Sequence, residues 1–383
     1  MARILNLLRH AEGCALALLL LQVGAFAVAF KYWLSLGPVA VGLIAGGLAL
    51  QRFVASGYGL IAVASPARAA EMRGQTAVVT GANTGIGFET AKSLLQRQVR
   101  VVIACRSQAR GEEALRRLVA AVPGTVAGQH VRLALVDMES QASVREFATQ
   151  GLPKCLGVAA LADVTVDMLV NNAGLFSPDR TLTKDGVEKV IAVNHVSGFL
   201  LTELLIDALK RGGSGRGGRV VCVGSIAHFK TDLDRSKRPR SVADALEKSP
   251  TFVKAPYYDL SKLCNLMHAA YLAKEHGLDA FSVHPGGVLT EVFRSVPVIE
   301  KVLFTLNKWL LKTPVEGAQT TLHCLYGDVT VQPLAAVPHS SAVLVPGGYY
   351  ADCRLAEKCR NPATRHPEEL KHFVTWSKRA ASL

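Results

Sequence analysis

Acidic residues are scarce in this chain: 30 Asp and Glu stand against 43 Lys and Arg over 383 residues, a formal charge of +13. Aromatic residues make up only 6%. No aromatic-interleaved basic groove or nucleic-acid motif accompanies the charge, so a nucleic-acid partner is not expected. The densest basic stretch, Lys230–Arg240, holds five basic and two acidic residues and reads as a solvated loop facing anionic headgroups. Metal-ligand spacing is also missing. The eight cysteines (14, 105, 155, 222, 264, 324, 353, 359) contain no C-x-x-C pair and no regular spacing, so neither a zinc site nor a disulfide framework follows. Cys105 and Cys222 fall within apolar runs, where a cysteine behaves as a small hydrophobe. This usage fits a reducing compartment.

What the chain has in excess is apolar sequence at its start. Residues 1–70 hold one acidic residue, Glu12, and five basic ones, Arg3, Arg9, Lys31, Arg52 and Arg68. Gly13–Phe30 is an uncharged run of 18 and Leu34–Leu50 another of 17, separated by Lys31-Tyr-Trp33. Each is near the lower limit for crossing a bilayer, roughly 17–25 residues. A Tyr-Trp pair with a lysine suits a turn at the headgroup layer. A hairpin of two spans returns the chain to its starting side and leaves the outer arginines cytosolic, as the positive-inside rule prefers. Residues 1–70 are therefore expected to anchor a catalytic domain spanning 71–383, at the endoplasmic reticulum with that domain in the cytosol. A cleaved signal peptide ending near Ala25 or Ala27 is the rival reading. Continuous apolarity argues against an amphipathic transit peptide.

Beyond Glu71 apolar strands alternate with helical stretches. Strands are expected at 76–80, 100–104, 131–136, 166–170, 219–223 and 280–283. Helices are expected at 86–98, 108–121, 143–149, 187–210 and 258–276. This alternation predicts an α/β fold, a doubly wound parallel sheet with helices on both faces. Thr80-Gly-Ala-Asn-Thr-Gly-Ile-Gly87 falls between the first strand and the first helix. In that context Gly81, Gly85 and Gly87 allow a tight turn and close approach of a pyrophosphate, which the helix N-terminus then binds. The spacing is G-x-x-x-G-x-G rather than G-x-G-x-x-G. Arg106 follows the second strand, where an NAD enzyme places an acidic residue, and it suits a 2′-phosphate. NADP(H) is therefore expected over NAD(H). Tyr258-Asp-Leu-Ser-Lys262 puts a phenol and an ammonium on one face of a helix, and the charge favours the phenolate. Tyr257 cannot substitute, since the residue one turn along is Ser261.

In this order, TGANTGIG, Asp137, Asn171-Asn-Ala-Gly174, Asn194, Ser225 and Tyr258-x-x-x-Lys262 resemble the signature of the short-chain dehydrogenase/reductase family. Ala104-Cys-Arg-Ser107, Val193-Asn-His195, Ser225-Ile-Ala-His228, Ser261-Lys-Leu263, His284-Pro-Gly286 and Thr313-Pro-x-Glu-Gly-Ala318 are similar to its retinol dehydrogenase-like branch, whose members are typically membrane-anchored. The resemblance covers roughly residues 74–352.

It implies a Rossmann fold and an NADP-dependent alcohol dehydrogenase or carbonyl reductase. Tyr258 is then the general acid/base and Lys262 its activator, and both also bind the cofactor, the ammonium serving the phenol and the nicotinamide ribose together. Ser225 donates to the substrate oxygen, and Asn194 holds a water that links Lys262 to solvent. The phosphate loop (Gly81, Asn83, Thr84, Gly85, Ile86, Gly87) and Arg106 bind the cofactor. Asp137 accepts from the adenine amino group; Asn171, Ala173 and Gly174 line the ribose; Pro285, Gly286 and Thr290 meet the nicotinamide.

One departure is Gly224, where this branch often has another serine. A second is the basic stretch Ala227–Pro256, which the resemblance places at the substrate entrance. Val298, Ile299, Val302, Leu303, Leu306, Trp309 and Leu310 recur at helical spacing, where the family covers its substrate pocket. An apolar cover beside a membrane anchor implies a lipophilic alcohol, aldehyde or ketone, with retinoids the named example. Tyr258–Asn265 also resembles a protochlorophyllide-type reductase, but Gly287 stands where that relative has a cysteine. A cofactor-binding scaffold or sensor without catalysis is the reading from another class, and the complete Asn194, Ser225, Tyr258 and Lys262 set argues against it.

Overall fold

The short apolar runs after residue 75 become strands that are buried on both faces, as parallel strands between two helix layers must be. The computed structural model describes residues 62, 64–177, 179–213, 217–230, 256–288, 311–330, 332, 334, 337 and 342–383. The expected N-terminal hairpin, Thr290, the apolar stretch at 298–310 and most of the basic stretch 227–256 lie outside these residues. Among the described residues no helix is long and apolar enough to cross a membrane.

The described strands form one sheet in the order β3-β2-β1-β4-β5-β6-β7-β8. They are β1 (Thr76–Thr80), β2 (Arg100–Cys105), β3 (Val131–Leu135), β4 (Met168–Asn171), β5 (Arg219–Val223), β6 (Asp279–His284), β7 (Tyr349–Ala351) and β8 (Arg354–Leu355). All neighbours pair in parallel except β7 and β8, which form a hairpin. This is a Rossmann-like α/β sheet. Its order reverses between β1 and β4, and in such sheets ligands bind in the crevice at that point, beyond the strands' carboxyl ends.

The helices are α1 (Pro66–Met72), α2 (Gly85–Leu95), α3 (Gln108–Ala121), α4 (Gln141–Glu146), α5 (Leu152–Leu156), α6 (Lys189–Ile191), α7 (Ser197–Leu204), α8 (Ile206–Arg211), α9 (Pro256–His276), α10 (Pro314–Tyr326) and α11 (Pro367–Ala380). Alternate strand residues feed two cores. Val78 and Leu169 join Leu263, Met267 and Phe199 on one face, while Val79 and Val170 join Leu94, Leu118 and Leu322 on the other. Burying a side chain of this size contributes roughly 1.5–3 kcal/mol, and these two layers hold the strand ends in register.

The expected single helix over 187–210 is interrupted. A π-helical turn, Ala192–Val196, separates α6 from α7, and Leu205 breaks the run again before α8. The helix expected at 143–149 likewise passes into a π turn, Phe147–Gly151. Apolar spacing alone cannot reveal the extra residue that a π turn inserts. Elements beyond the sixth strand were not anticipated: α10, β7, β8 and α11. Thr313 caps α10 through a capping box with Glu316. Pro367 opens α11, with Glu368 and Glu369 in its first turn and Lys378 and Arg379 in its last, matching the helix dipole.

Candidate active site

At the end of β1 the chain turns sharply into α2. Gly81 and Gly85 have φ of 65° and 60°, a region that favours glycine. A Cβ on Gly87 would lie 2.5 Å from the Asn172 side chain and 2.6 Å from the Gly81 carbonyl, so no side chain fits there. Thr84, the N-cap of α2, makes no side-chain capping bond, and no acidic residue occupies the first turn. No side chain caps the amide groups at this helix start, where the positive end of the dipole lies. These features fit a pyrophosphate. Asn83 and Thr84 are half-buried on the turn, while Ile86 is buried and reaches towards Gly317 of α10.

The end of β4 stitches this loop in place. The Thr80 hydroxyl donates to the Val170 carbonyl (3.2 Å) and accepts from the amides of Asn172 and Ala173 (both 3.0 Å). Asn172 donates from its side chain to the Thr80 carbonyl at 2.8 Å. Asn171 takes a different course from the ribose-facing one expected. Its side chain donates to Thr202 of α7 at 2.9 Å and is buried beneath the sheet. It is Asn172, the second residue of the Asn171-Asn-Ala-Gly174 motif, that supports the turn from Gly81 to Gly87.

Arg106 stands at the end of β2, well exposed, with its guanidinium 2.9 Å from Glu139 Oε1 and 3.9 Å from Asp137 Oδ1. Lys189 Nζ lies 3.1 Å from the same oxygen of Glu139. Asp137 itself accepts from the Glu139 amide at 3.0 Å.

Asn194, Tyr258 and Lys262 are brought together beyond β4 through Ser261 and Gly174, and Ser225 follows the end of β5. Lys262 Nζ donates to the Val223 carbonyl at 2.9 Å and lies 5.5 Å from the centre of the Tyr258 ring. Burial pushes the lysine pKa down to about 8, with the nearby Cys222 thiol opposing. The Tyr258 ring meets Phe176 edge-on, centroids 5.6 Å apart. Asn194, in the π turn, is committed to the protein on both sides of its amide. Its oxygen accepts from the Leu175 amide (2.7 Å), and its nitrogen donates to the Leu175 carbonyl and to Ser261 Oγ (both 3.0 Å). Ser261 in turn donates to the Tyr258 carbonyl at 2.7 Å. Asn194 therefore ties the loop after β4 to the first turn of α9. Gly174 lies in that loop, and a Cβ there would be 3.3 Å from Asn194 Oδ1 and 3.5 Å from Lys262 Nζ.

Ser225 is half-buried and its hydroxyl accepts from the Ala227 amide at 3.2 Å. The buried ring of His228 lies against the Ser225 carbonyl through Nδ1 and the Cys359 carbonyl through Nε2. Burial lowers the pKa of this ring, and in its neutral form it satisfies one of these carbonyls at a time. Gly224 has a packing reason. A Cβ there would come within 2.9 Å of Ser282 Oγ and 3.2 Å of the Val283 carbonyl on β6.

After β6, Pro285 and Gly286 turn the chain, Gly286 with φ of 89°. Lys312 packs on Gly286 so closely that a Cβ would lie 2.7 Å from its Cδ. Its ammonium pairs with Asp352, in the β7–β8 turn, and its amide donates to the Gly287 carbonyl at 2.7 Å. This pair gives no local signal in sequence, because its members are 40 residues apart. Among the described residues no group of His, Cys, Asp or Glu is arranged to hold a metal ion.

A glycine-rich, uncapped helix start at the sheet's switch point and a phenol–ammonium pair on α9 fit a dinucleotide-binding oxidoreductase. Comparison with known proteins makes this specific. The short chain dehydrogenase family profile matches residues 75–234. Human dehydrogenase/reductase SDR family member 13 is 35% identical over 89% of this chain and 82% of its own length. Mouse retinol dehydrogenase 12 is 33% identical over 77% and 84%, and human retinol dehydrogenase 14 is 34% identical over 75% and 80%. Among solved structures, an uncharacterised Mycobacterium paratuberculosis protein is 25% identical, covering 82% of this chain and 97% of that one at a TM-score of 0.55. An actinorhodin polyketide ketoreductase solved with NADPH has the same fold, with 20% identity, coverage of 73% and 95%, and a TM-score of 0.50. The chain belongs to the short-chain dehydrogenase/reductase family. The family fold implies a nicotinamide cofactor.

Proposed function

We propose that this protein is a membrane-anchored, NADP(H)-dependent oxidoreductase acting on a lipophilic alcohol, aldehyde or ketone of the retinoid type. One observation carries the reading: Lys262 is buried one turn along α9 from Tyr258, and Gly174 lies against both Lys262 and Asn194 while its neighbour Ala173 packs on Gly81 at the start of the β1–α2 turn. Its relatives named as retinol dehydrogenases support the substrate class. The apolar runs Gly13–Phe30 and Leu34–Leu50 support the anchor, at the endoplasmic reticulum with the catalytic domain in the cytosol.

In this mechanism a bound nicotinamide supplies or accepts the hydride. The Tyr258 hydroxyl delivers its proton to the substrate oxygen during reduction and takes it back during oxidation. Ser225 donates a hydrogen bond to that oxygen as its negative charge develops. Lys262 stabilises the phenolate left on Tyr258, more strongly because the ammonium itself is buried. Asn194 and Ser261 hold the loop after β4 and the start of α9 in register, so that phenol and serine address one point. The loop from Gly81 to Gly87 would hold the pyrophosphate, Arg106 and Asp137 would receive the adenosine, and Ala173, Gly174, Pro285 and Gly286 would meet the ribose and nicotinamide; Thr290, assigned to the nicotinamide from the sequence, lies outside the described residues.

The test is oxidation of NADPH by the detergent-solubilised full-length protein with retinal, long-chain aldehydes and steroid ketones. Retinal is expected to be reduced, and Tyr258→Phe to lower that rate by roughly 10²–10⁴-fold while the cofactor still binds. Near-normal reduction by Tyr258→Phe would defeat the assignment. Failure of every lipophilic carbonyl alongside turnover of a small polar one would overturn the substrate class.

A further inference from the structure

The charges around Arg106 balance before any ligand arrives. Arg106 and Lys189 supply two cations, Asp137 and Glu139 two anions, and Glu139 Oε1 is the shared centre, 2.9 Å from Arg106 and 3.1 Å from Lys189. Glu139 is held by its own turn, since its amide donates to Asp137 Oδ1 at 3.0 Å. Lys189 opens α6, its backbone fixed by a 2.8 Å bond from its amide to the Thr181 carbonyl. The two cations therefore reach Glu139 from separate elements, and only Arg106 comes from the end of β2.

We propose that Glu139 and Lys189 set how strongly this protein favours a 2′-phosphorylated dinucleotide. Glu139 competes for Arg106, and Lys189 weakens that competition by neutralising Glu139. The inference rests on the reading that Arg106 faces the adenosine ribose. A 2′-phosphate there draws the guanidinium away from Glu139 and brings up to two negative charges beside a carboxylate. An unphosphorylated ribose brings none. The electrostatic penalty from Glu139 thus falls on the phosphorylated cofactor alone, and Lys189 offsets part of it. Without Lys189 the carboxylate holds Arg106 harder and repels the phosphate more. All four side chains are partly solvated, so each effect is screened by water and salt. The purely structural alternative, a surface ion-pair network worth little in stability, predicts no discrimination between the two cofactors.

Calorimetric titration of the full-length protein with NADP⁺ and with NAD⁺ separates these cases, with unfolding temperature checked for each variant. Glu139→Gln should raise the NADP⁺-to-NAD⁺ affinity ratio roughly three- to tenfold, with NAD⁺ affinity unchanged. Lys189→Met should lower the ratio by a similar factor. The double variant should fall between the two single variants, because without Glu139 the Lys189 ammonium still attracts the phosphate by its own charge. Raising the salt concentration should shrink both shifts. The proposal is overturned if either variant changes both cofactors equally, or if the two variants shift the ratio in the same direction. Arg106→Ala tells a failure here from a failure of the underlying reading. If it collapses the ratio while Glu139→Gln leaves it unchanged, only this proposal falls. If it leaves the ratio unchanged, the phosphate-facing role of Arg106 falls and takes the proposal with it.

Discussion

The ammonium of Lys262 lies 5.5 Å from the centre of the Tyr258 ring, one helical turn away, while its hydrogen bond goes to the Val223 carbonyl at 2.9 Å. A charge taken out of water so completely is costly, and burial drives its pKa from the ordinary 10.5 to about 8. The charge that would steady a phenolate is therefore held at the expense of the fold.

That expense can be measured. Between about pH 8 and 10.5 the unfolded chain keeps its proton on Lys262 after the folded one has lost it, so the lysine makes stability rise with pH through that window. Below about pH 8 the cost is present in full. Lys262→Met should raise stability at pH 7 by on the order of 1–3 kcal/mol. The Val223 carbonyl is not orphaned in this variant, because Asn265 also donates to it at 3.1 Å. Turnover should collapse and cofactor affinity fall, and in the unmodified enzyme carbonyl reduction should decline as pH rises through about 8. Thermal unfolding at pH 7 and pH 10 checks the sign. A Lys262→Met protein less stable than its parent at pH 7 would contradict it.

Arg219 is a second buried cation, its pKa also lowered by burial, to about 10, but with several acceptors gathered around it. From the start of β5 it donates to the carbonyls of Cys324 (3.2 Å), Leu325 (2.9 Å) and Gly327 (2.7 Å), at the end of α10. Arg68 of α1 adds a bond to Leu325 at 3.2 Å. Cations at a helix C-terminus are favoured by its dipole, and these carbonyls have no partner within the helix. Arg219→Met keeps the apolar bulk but strands the Cys324 and Gly327 carbonyls, Leu325 keeping its bond from Arg68, and should cost about 2–4 kcal/mol. Urea unfolding is the measurement. A loss under 0.5 kcal/mol would show that water replaces the guanidinium there.

Much of this arrangement was readable in the sequence, and where it was not the reasons are physical. β1, β5 and α3 begin and end where apolar runs and turn residues place them. The alternation and right-handed crossovers make the sheet doubly wound, but its strand order is seen only in the structure. The π turn at Asn194 left no trace, because an added residue in a helix that is buried on most sides does not disturb an apolar pattern. β7 has three residues and β8 two, too short for a period of two to register. Asn172 was passed over beside Asn171 because adjacent residues point to opposite sides of a strand end, and sequence does not say which side holds the phosphate loop. Glu139 reads as an ordinary acid in a turn until the fold brings Arg106 and Lys189 to it.

The anchor assigned to residues 1–70 predicts an outcome that depends on topology alone. Two apolar runs with arginines on both outer ends should leave the catalytic domain on the cytosolic side. Protease added to intact microsomes should therefore destroy the domain after Gly74 without detergent. Full protection, or a mature chain beginning near residue 28, would mean translocation and cleavage.

Lys312 and Asp352 should matter to one half of the cofactor and not the other. The pair joins the residues entering α10 to the β7–β8 turn, where Asp352 and Cys353 have φ of 49° and 56°, uncommon for residues with side chains. The Lys312 chain covers Gly286, and its amide fixes Gly287. Both glycines belong to the loop assigned to the nicotinamide, at the far end of the crevice from Arg106. Lys312→Met fills similar space and leaves Asp352 half in solvent, so the fold should survive while this loop loses its ionic tether. Displacing a reacting group by even an ångström costs up to about a hundredfold in rate, so kcat/KM should fall roughly ten- to hundredfold. Affinity for 2′,5′-ADP, which has no nicotinamide, should stay as it was, whereas affinity for NADPH should drop. Asp352→Asn should fall between the parent and Lys312→Met on both measures. Equal losses for 2′,5′-ADP and NADPH would mean that the substitution disturbs the whole crevice, and that the pair supports the fold in general rather than this loop.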